Sequence, residues 1–386
     1  MKCIEKLKEI KFGWEETLFA LSPLLGAYGQ GVLRMEFIIP VLISYMCFRK
    51  NAIIWMPLYY KVFLIYILLH DIVLIFTMPQ VPAYYFNNRI NMFAALLAIS
   101  IIGKTLDIEK FKNAIYLIAA ISSIGILYHF ILIFSGQLIS PIPIPLISNI
   151  LPMPRMVEMG FRPVSFFGEP ASYADYMLLP MYFVLMKKKY YWYFVCVFFV
   201  LLSTSTTGVV SSISLLLFHL YLNKKRSSFF AVFILLGVMY VGLTNLTIFD
   251  ATISKIENTN VSTNDRMSNG PRIVQQMQAE ELVFGINSPH VHDYARANTK
   301  LYDHITTFEG EDMFYVSKFW LLIIQYGIVG FILYYFVYIK LMITDRRLIP
   351  LIGTLLIFSI FAGAGLSGTF TYYVCASLAF SKTPKI

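Results

Sequence analysis

Residues 187–226 read KKKYYWYFVCVFFVLLSTSTTGVVSSISLLLFHLYLNKKR. Two apolar runs, 190–203 and 206–222, lie between a triple lysine and the cluster Lys224, Lys225 and Arg226, with a hydroxyl-rich turn between them. Each run approaches the ~20 residues that a helix needs to cross hydrocarbon. In hydrocarbon only helices and closed barrels satisfy their own backbone, and basic residues gather at the cytoplasmic ends of such helices. The stretch therefore predicts a helical hairpin that leaves the cytoplasm at the lysines, turns outside at STSTTG and lands at NKKR.

The same rule extends over all 386 residues, of which 58% are hydrophobic and only 14% charged, a composition far from that of a water-soluble domain. Helices are expected at about 15–33, 35–48, 53–78, 90–103, 113–135, 171–186, 190–203, 206–222, 228–244 and 317–338, with a final pair before SKTPKI. These twelve spans put every basic cluster on one side. The fold predicted is an all-α polytopic membrane protein, a single transmembrane domain over 1–386 with both termini cytoplasmic. Two external loops, 136–170 and 245–316, interrupt it. The larger loop holds five basic and ten acidic residues, a net charge of −5 that suits an outside location.

The net charge of +9 is accounted for by these topological clusters and implies no nucleic-acid partner. Cys3, Cys47, Cys196 and Cys375 are scattered, without the spacing of a disulfide framework or a metal site. The basic start MKCIEKLKEIKFGW precedes an apolar run with no small-residue cleavage site, and reads as a retained first helix.

Polar chemistry concentrates in the two loops. The first ends in RPVSFFGEPASYADYM, 162–177. Pro170 suits the first turn of a helix, where its missing N–H is not needed, so Glu169 falls near the N-cap. Gly168 lets the backbone approach a ligand closely. Free amides at a helix start make an anion site, and Arg155 and Arg162 just upstream can clamp a phosphate oxygen. Alternatively, Glu169 caps its helix and pairs with Arg162 to hold the loop down. Phe166, Phe167, Tyr173 and Tyr176 either stack on sugar rings or anchor the interface. Asp175 lies about two turns below Glu169, facing the same cleft.

In the second loop, Arg266 and Arg272 flank an Asn-Gly-Pro sequence that predicts a turn between two guanidiniums. His290, His292 and His304, with Asp293 and Asp303, supply candidate general bases. HVHD lacks a third ligand at a defined spacing and does not make a metal site. Both loops carry Arg, twelve residues, then Gly: Arg155 to Gly168 and Arg272 to Gly285. Within the bundle, Lys61, His70, Asp71 and Lys104 are the other notable ionisable groups, and position near a span's end with snorkelling accounts for His70, Asp71 and Lys104.

RPVSFFGEPASYADYM resembles the Arg, Ser, Phe, Glu-Pro-Ser segment of O-antigen polymerases of the Wzy type, here with Ala171 between Pro170 and Ser172. LLSTSTTGVVSSI, 201–213, is similar to their L-S-x-S-R-T-G hairpin, with Thr206 where arginine often stands. FWLLIIQYGIVGFILYY, 319–335, resembles the YGxxG helix after their large external loop. The likeness implies an inner-membrane glycosyltransferase of the GT-C type, related to O-antigen ligases. Such an enzyme needs no cofactor or metal and polymerises undecaprenyl-pyrophosphate-linked oligosaccharide repeat units at the periplasmic face. It is expected to work among membrane lipids with a chain-length-regulating co-polymerase. By position, Arg162 and Glu169 match the family's first-loop arginine and Glu-Pro glutamate. Arg155, Arg162, Arg266, Arg272 and Tyr173 are then the expected pyrophosphate and substrate contacts, and Glu169, His290 and His292 the candidate bases. A glycan ligase differs in acceptor, and a lipid-linked oligosaccharide flippase would carry its polar residues at the midplane on broken helices.

Overall fold

The computed structural model describes residues 11–30, 33–49, 55–77, 83–145, 147–149, 162–223, 237, 265–286, 291–297, 316–361 and 368–382. These form a helical bundle. Its first elements are α1 (Trp14–Leu21), α2 (Met35–Arg49), α3 (Leu58–Thr77), α4 (Ala83–Thr105) and α5 (Ile108–Phe134). Next come α6 (Pro170–Met186), α7 (Tyr190–Leu202) and α8 (Thr206–Asn223). Three short helices follow, α9 (Asp265–Gln276), α10 (Ala279–Phe284) and α11 (Val291–Ala297). The chain ends with α12 (Lys318–Thr344), α13 (Ile349–Phe361) and α14 (Gly368–Ser381). The expected helix at 228–244 lies outside the described residues apart from Gly237.

Among the described residues, α3, α5, α8 and α12 are long and apolar enough to cross a membrane. Their outer faces carry exposed apolar side chains at helical spacing. On α3 these are Leu58, Val62, Ile65, Leu69, Val73 and Phe76, and on α12 Ile328, Ile332, Phe336, Ile339 and Ile343. Water would penalise such stripes, whereas lipid chains accept them. With one continuous apolar core inside and these faces outside, this is the architecture of a helical membrane protein.

The basic termini gather at one end of the bundle. Lys187, after α6, lies 3.8 Å from Glu109 at the start of α5, and Lys112 bonds the same carboxylate at 2.7 Å. Tyr182 donates to the Arg347 carbonyl between α12 and α13, and Lys382 after α14 donates to the Gly103 carbonyl near the end of α4. Charge clusters far apart in the sequence thus share one end, as the spacing of the apolar runs predicts. At this end α5 begins earlier than expected, because Asp107 accepts from the Glu109 and Lys110 amides and caps the helix.

At the opposite end, the expected first span of 15–33 is not one helix. α1 stops at Leu21, a 3₁₀ turn covers Leu24–Ala27, and strand β1 (Tyr28–Gln30) follows. Pro23, Gly26 and Gly29 break the helical run, consistent with their poor propensity. The strand is satisfied instead in a small antiparallel sheet, between β2 (Leu33–Arg34) and β3 (Ser148–Asn149). β3 belongs to the first loop, and the Tyr28 hydroxyl donates to the nearby Ile142 carbonyl at 2.6 Å. Helix α4 also extends the expected 90–103 toward this end, taking in Tyr84 to Arg89.

The Asn-Gly-Pro sequence is not a turn either. Asn269, Gly270 and Pro271 lie inside α9, where Gly270 lets the helix press against the Trp320 side chain. α9, α10 and α11 share a small core of their own with α12, built from Ile273, Ile286, Val291, Ala295, Val316 and Ile324.

Helix α12 is interrupted at Gly327, whose φ of 66° and ψ of −178° are open only to glycine. The break frees backbone groups, and the Ile286 amide takes one, donating to the Ile324 carbonyl at 2.9 Å. Gly285 has φ 98°, and a Cβ there would strike the Gln325 carbonyl, just as a Cβ on Gly327 would strike that of Val283. The two glycines interlock the loop with the helix. Gly327→Ala or Gly285→Ala should each cost at least about 1–3 kcal/mol from backbone strain alone. Thermal unfolding in detergent, with Ile332→Val on the lipid face as the control, should register a drop of several degrees for the glycine variants only.

Candidate functional site

Residues 162–169 lead into α6 and are held from below. Helix α5 brings His129 under the turn, where its Nδ1 accepts from the Val164 and Ser165 amides at 3.1 and 3.2 Å. That arrangement keeps the imidazole neutral with its proton on Nε2. Ser165 has φ 57°, a left-handed conformation unusual for a residue with a side chain. Its carbonyl accepts from the Ile142 amide at 3.0 Å, tying both ends of the first loop to α5 beside Gly125. Phe167 packs against Tyr173 and Tyr176.

Helix α6 begins as its sequence suggests, with Glu169 at the N-cap and Pro170 first in the helix. The Glu169 side chain makes no capping hydrogen bond, so capping its own helix is not what it does here. Arg162 reaches across to the turn between α7 and α8. Its Nε donates to the Thr204 hydroxyl at 3.2 Å and its Nη2 to the Thr204 carbonyl at 2.9 Å. Thr204 is itself left-handed, φ 56°. The hairpin packs tightly on α6, since Gly208 leaves room only for Ala174 and Val200. A guanidinium, a helix start and a strained turn thus meet at one place, with the elements for holding an anion.

Tyr173 is fully buried, with its hydroxyl 3.1 Å from Ser123 of α5, and serves the packing of α6. Asp175, two residues on, is also buried, and its Oδ1 meets no hydrogen-bond geometry among the described residues. It interacts electrostatically with Lys318 at the first residue of α12. Tyr373 of α14 donates to the Asp175 main-chain carbonyl.

Of the second-loop candidates, Arg272 lies on α9, two residues from the Gly270 that packs on Trp320, and hence near the start of α12. Arg266 is on the same helix and His292 on α11, but only their backbone is described. Arg155, His290, Asp303 and His304 lie outside the described residues. Among the described residues, Arg162, Glu169, Asp175 and Lys318 are therefore ionisable groups at or near the start of α6.

His129 and Lys318 escape a motif search. A histidine inside an apolar helix is the only signal for the first, and a lysine at the start of a span the only signal for the second. A second polar cluster was half legible, in His70 and Asp71. Asp71 is buried, 3.9 Å from Arg89 of α4 and 3.4 Å from the His70 ring. Arg89 donates to the Tyr326 hydroxyl beside the Gly327 break, and the Tyr66 hydroxyl donates to the Tyr326 carbonyl at 2.6 Å. These groups clamp α3 and α4 to the interrupted helix. Removing one member of a buried charged pair costs about 3–5 kcal/mol. Arg89→Gln should therefore destabilise strongly, and Asp71→Asn with Arg89→Gln less so, in thermal unfolding of the purified protein.

No family model matches the sequence, and no curated protein matches it.

Proposed function

We propose that the protein is a membrane glycosyltransferase that polymerises undecaprenyl-pyrophosphate-linked oligosaccharide repeat units at the periplasmic face of a bacterial inner membrane. On this reading its fold is the GT-C type with about twelve spans, the basic end of the bundle is cytoplasmic, and the lipid pyrophosphate is the leaving group. The observation that carries the reading is the fixing of Arg162 on Thr204, beside the positive end of the α6 dipole, at the end of the bundle opposite the basic clusters. A guanidinium held rigidly before a helix start needs little reorganisation when negative charge develops on a departing phosphate, which is how such donors lower a barrier.

In the reaction, a hydroxyl of the incoming repeat unit attacks the anomeric carbon of the donor. The C–O bond to pyrophosphate breaks, its electron pair leaves with the phosphate, and Arg162 and the positive end of the α6 dipole offset that charge. On this reading Arg272 of α9 contributes a second guanidinium. A co-polymerase that sets chain length is the expected protein partner.

One observation favours a second reading. Helix α12, long and apolar enough to span a membrane, is interrupted at Gly327, and broken helices are a feature of transporters, so a lipid-linked oligosaccharide flippase is the alternative. Reconstitution of the purified protein with a lipid-pyrophosphate repeat unit separates the two. A ladder of longer lipid-linked glycans is expected, and Arg162→Ala should lower its rate of formation about hundredfold or more. Arg162→Lys should recover only part, since an ammonium does not reproduce the guanidinium fork. Unit-length glycans that only change leaflet would establish the flippase.

A further inference from the structure

The lysines at the basic end are not all accounted for by ion pairs, and we propose that two of them, Lys104 and Lys382, form with Trp55 a site for the headgroup phosphate of an anionic glycerophospholipid. Helix α4 ends at Thr105 and α14 at Ser381, and their ends meet. The Lys382 ammonium donates to the Gly103 carbonyl at 2.6 Å, one residue from Lys104. The Lys104 ammonium lies 5.9 Å over the Trp55 ring, and the Trp55 amide donates to the Ser100 carbonyl at 3.0 Å, which ties that residue to the last turns of α4. The site is independent of the chemistry at the opposite end of the bundle.

Charge at this place is unbalanced. Nearby carboxylates are engaged by other cations: Asp107 by Lys110, Glu109 by Lys112 and Lys187, and Asp345 by Arg347. Lys104 and Lys382 are both exposed, and neither forms an ion pair among the described residues. Desolvation of the Lys382 ammonium, and then the positive charge of Lys104, push its pKa down to about 8. An anion between the two ammoniums would relieve that repulsion. Because Lys382 already bonds the Gly103 carbonyl, the negative end of the α4 dipole is partly offset and opposes the anion less.

Depth decides the kind of anion. The lipid-facing stripe of α3 begins at Leu58, three residues past Trp55, and Trp55 itself is 40% exposed. An exposed tryptophan at the end of such a stripe marks the headgroup layer, and lysines at that depth attract acidic lipids. Lys61, exposed on the same face one turn along, has a stem long enough to extend to that layer. A lipid whose chains cover Leu58 and Val62 presents its phosphate at this height, with an apolar contact that a free phosphate ion lacks.

The test uses the purified full chain in detergent, with phosphatidylglycerol, phosphatidylcholine or inorganic phosphate as the probe. Native mass spectrometry measures lipid binding, and acylation of lysines at mildly alkaline pH, read by peptide mass spectrometry, measures protection. Wild type should bind phosphatidylglycerol roughly 10- to 30-fold more tightly than phosphatidylcholine, the effect of two lysines, and only phosphatidylglycerol should slow acylation of Lys104 and Lys382. Lys104→Gln with Lys382→Gln should abolish the preference at unchanged melting temperature. Lys188→Gln with Lys189→Gln, which removes the same charge elsewhere at that end, should keep it. Equal binding of the two lipids by wild type would overturn the proposal. So would a preference that survives Lys104→Gln with Lys382→Gln, or one that falls as far in the Lys188 and Lys189 variant, since the attraction would then be diffuse. Protection by inorganic phosphate as strong as that by phosphatidylglycerol would also overturn it, in favour of a soluble ligand. If a variant fails to fold, protection of Lys104 and Lys382 in wild type decides the matter without it.

Discussion

A single imidazole fixes the geometry on which the rest of this end of the molecule depends. His129 accepts two successive backbone amides from the turn before α6, in a place where neither can reach water. An unpaired buried amide costs about 1–3 kcal/mol, so loss of the ring would strand two of them and release the left-handed Ser165. Everything downstream follows from that turn: where Arg162 points, how Phe167 packs on Tyr173 and Tyr176, and the register at which α6 enters the bundle.

The ionisable groups inside the bundle are distributed unevenly. At the basic end, lysines and arginines sit in the first or last turns of helices or just beyond them and bond carboxylates or carbonyls there. Toward the loop end, Asp71, Arg89, Asp175 and Lys318 lie within or at the start of apolar helices. There the surrounding tyrosines provide the polar contacts that lipid cannot.

Much of the helical layout was legible because lipid leaves a chain few alternatives. Apolar runs between basic clusters gave α3, α6, α7 and α8 within a few residues, and Pro170 marked the start of α6. The failures share a cause. Pro23, Gly26 and Gly29 looked tolerable inside an apolar segment, yet the sheet partner that made a strand there preferable lies beyond residue 147. Asn269-Gly270-Pro271 carries every local sign of a turn, but Trp320 covers the glycine and the helix persists. The break at Gly327 was invisible because it depends on a loop carbonyl arriving from Val283. Of the site, Arg162, Glu169 and Asp175 could be nominated from local sequence. His129 and Lys318 could not, because their partners are set by how distant helices pack.

The interlock of Gly285 with Gly327 has a bearing on how such proteins diversify. Surface loops are the segments of a protein that most readily tolerate insertion or replacement. Here a transplanted second loop would arrive with a backbone contour that must nest against the interrupted helix at Gly285 and Ile286. The viable unit of exchange is therefore the loop together with the first turns of α12, and changes to either are constrained by the other.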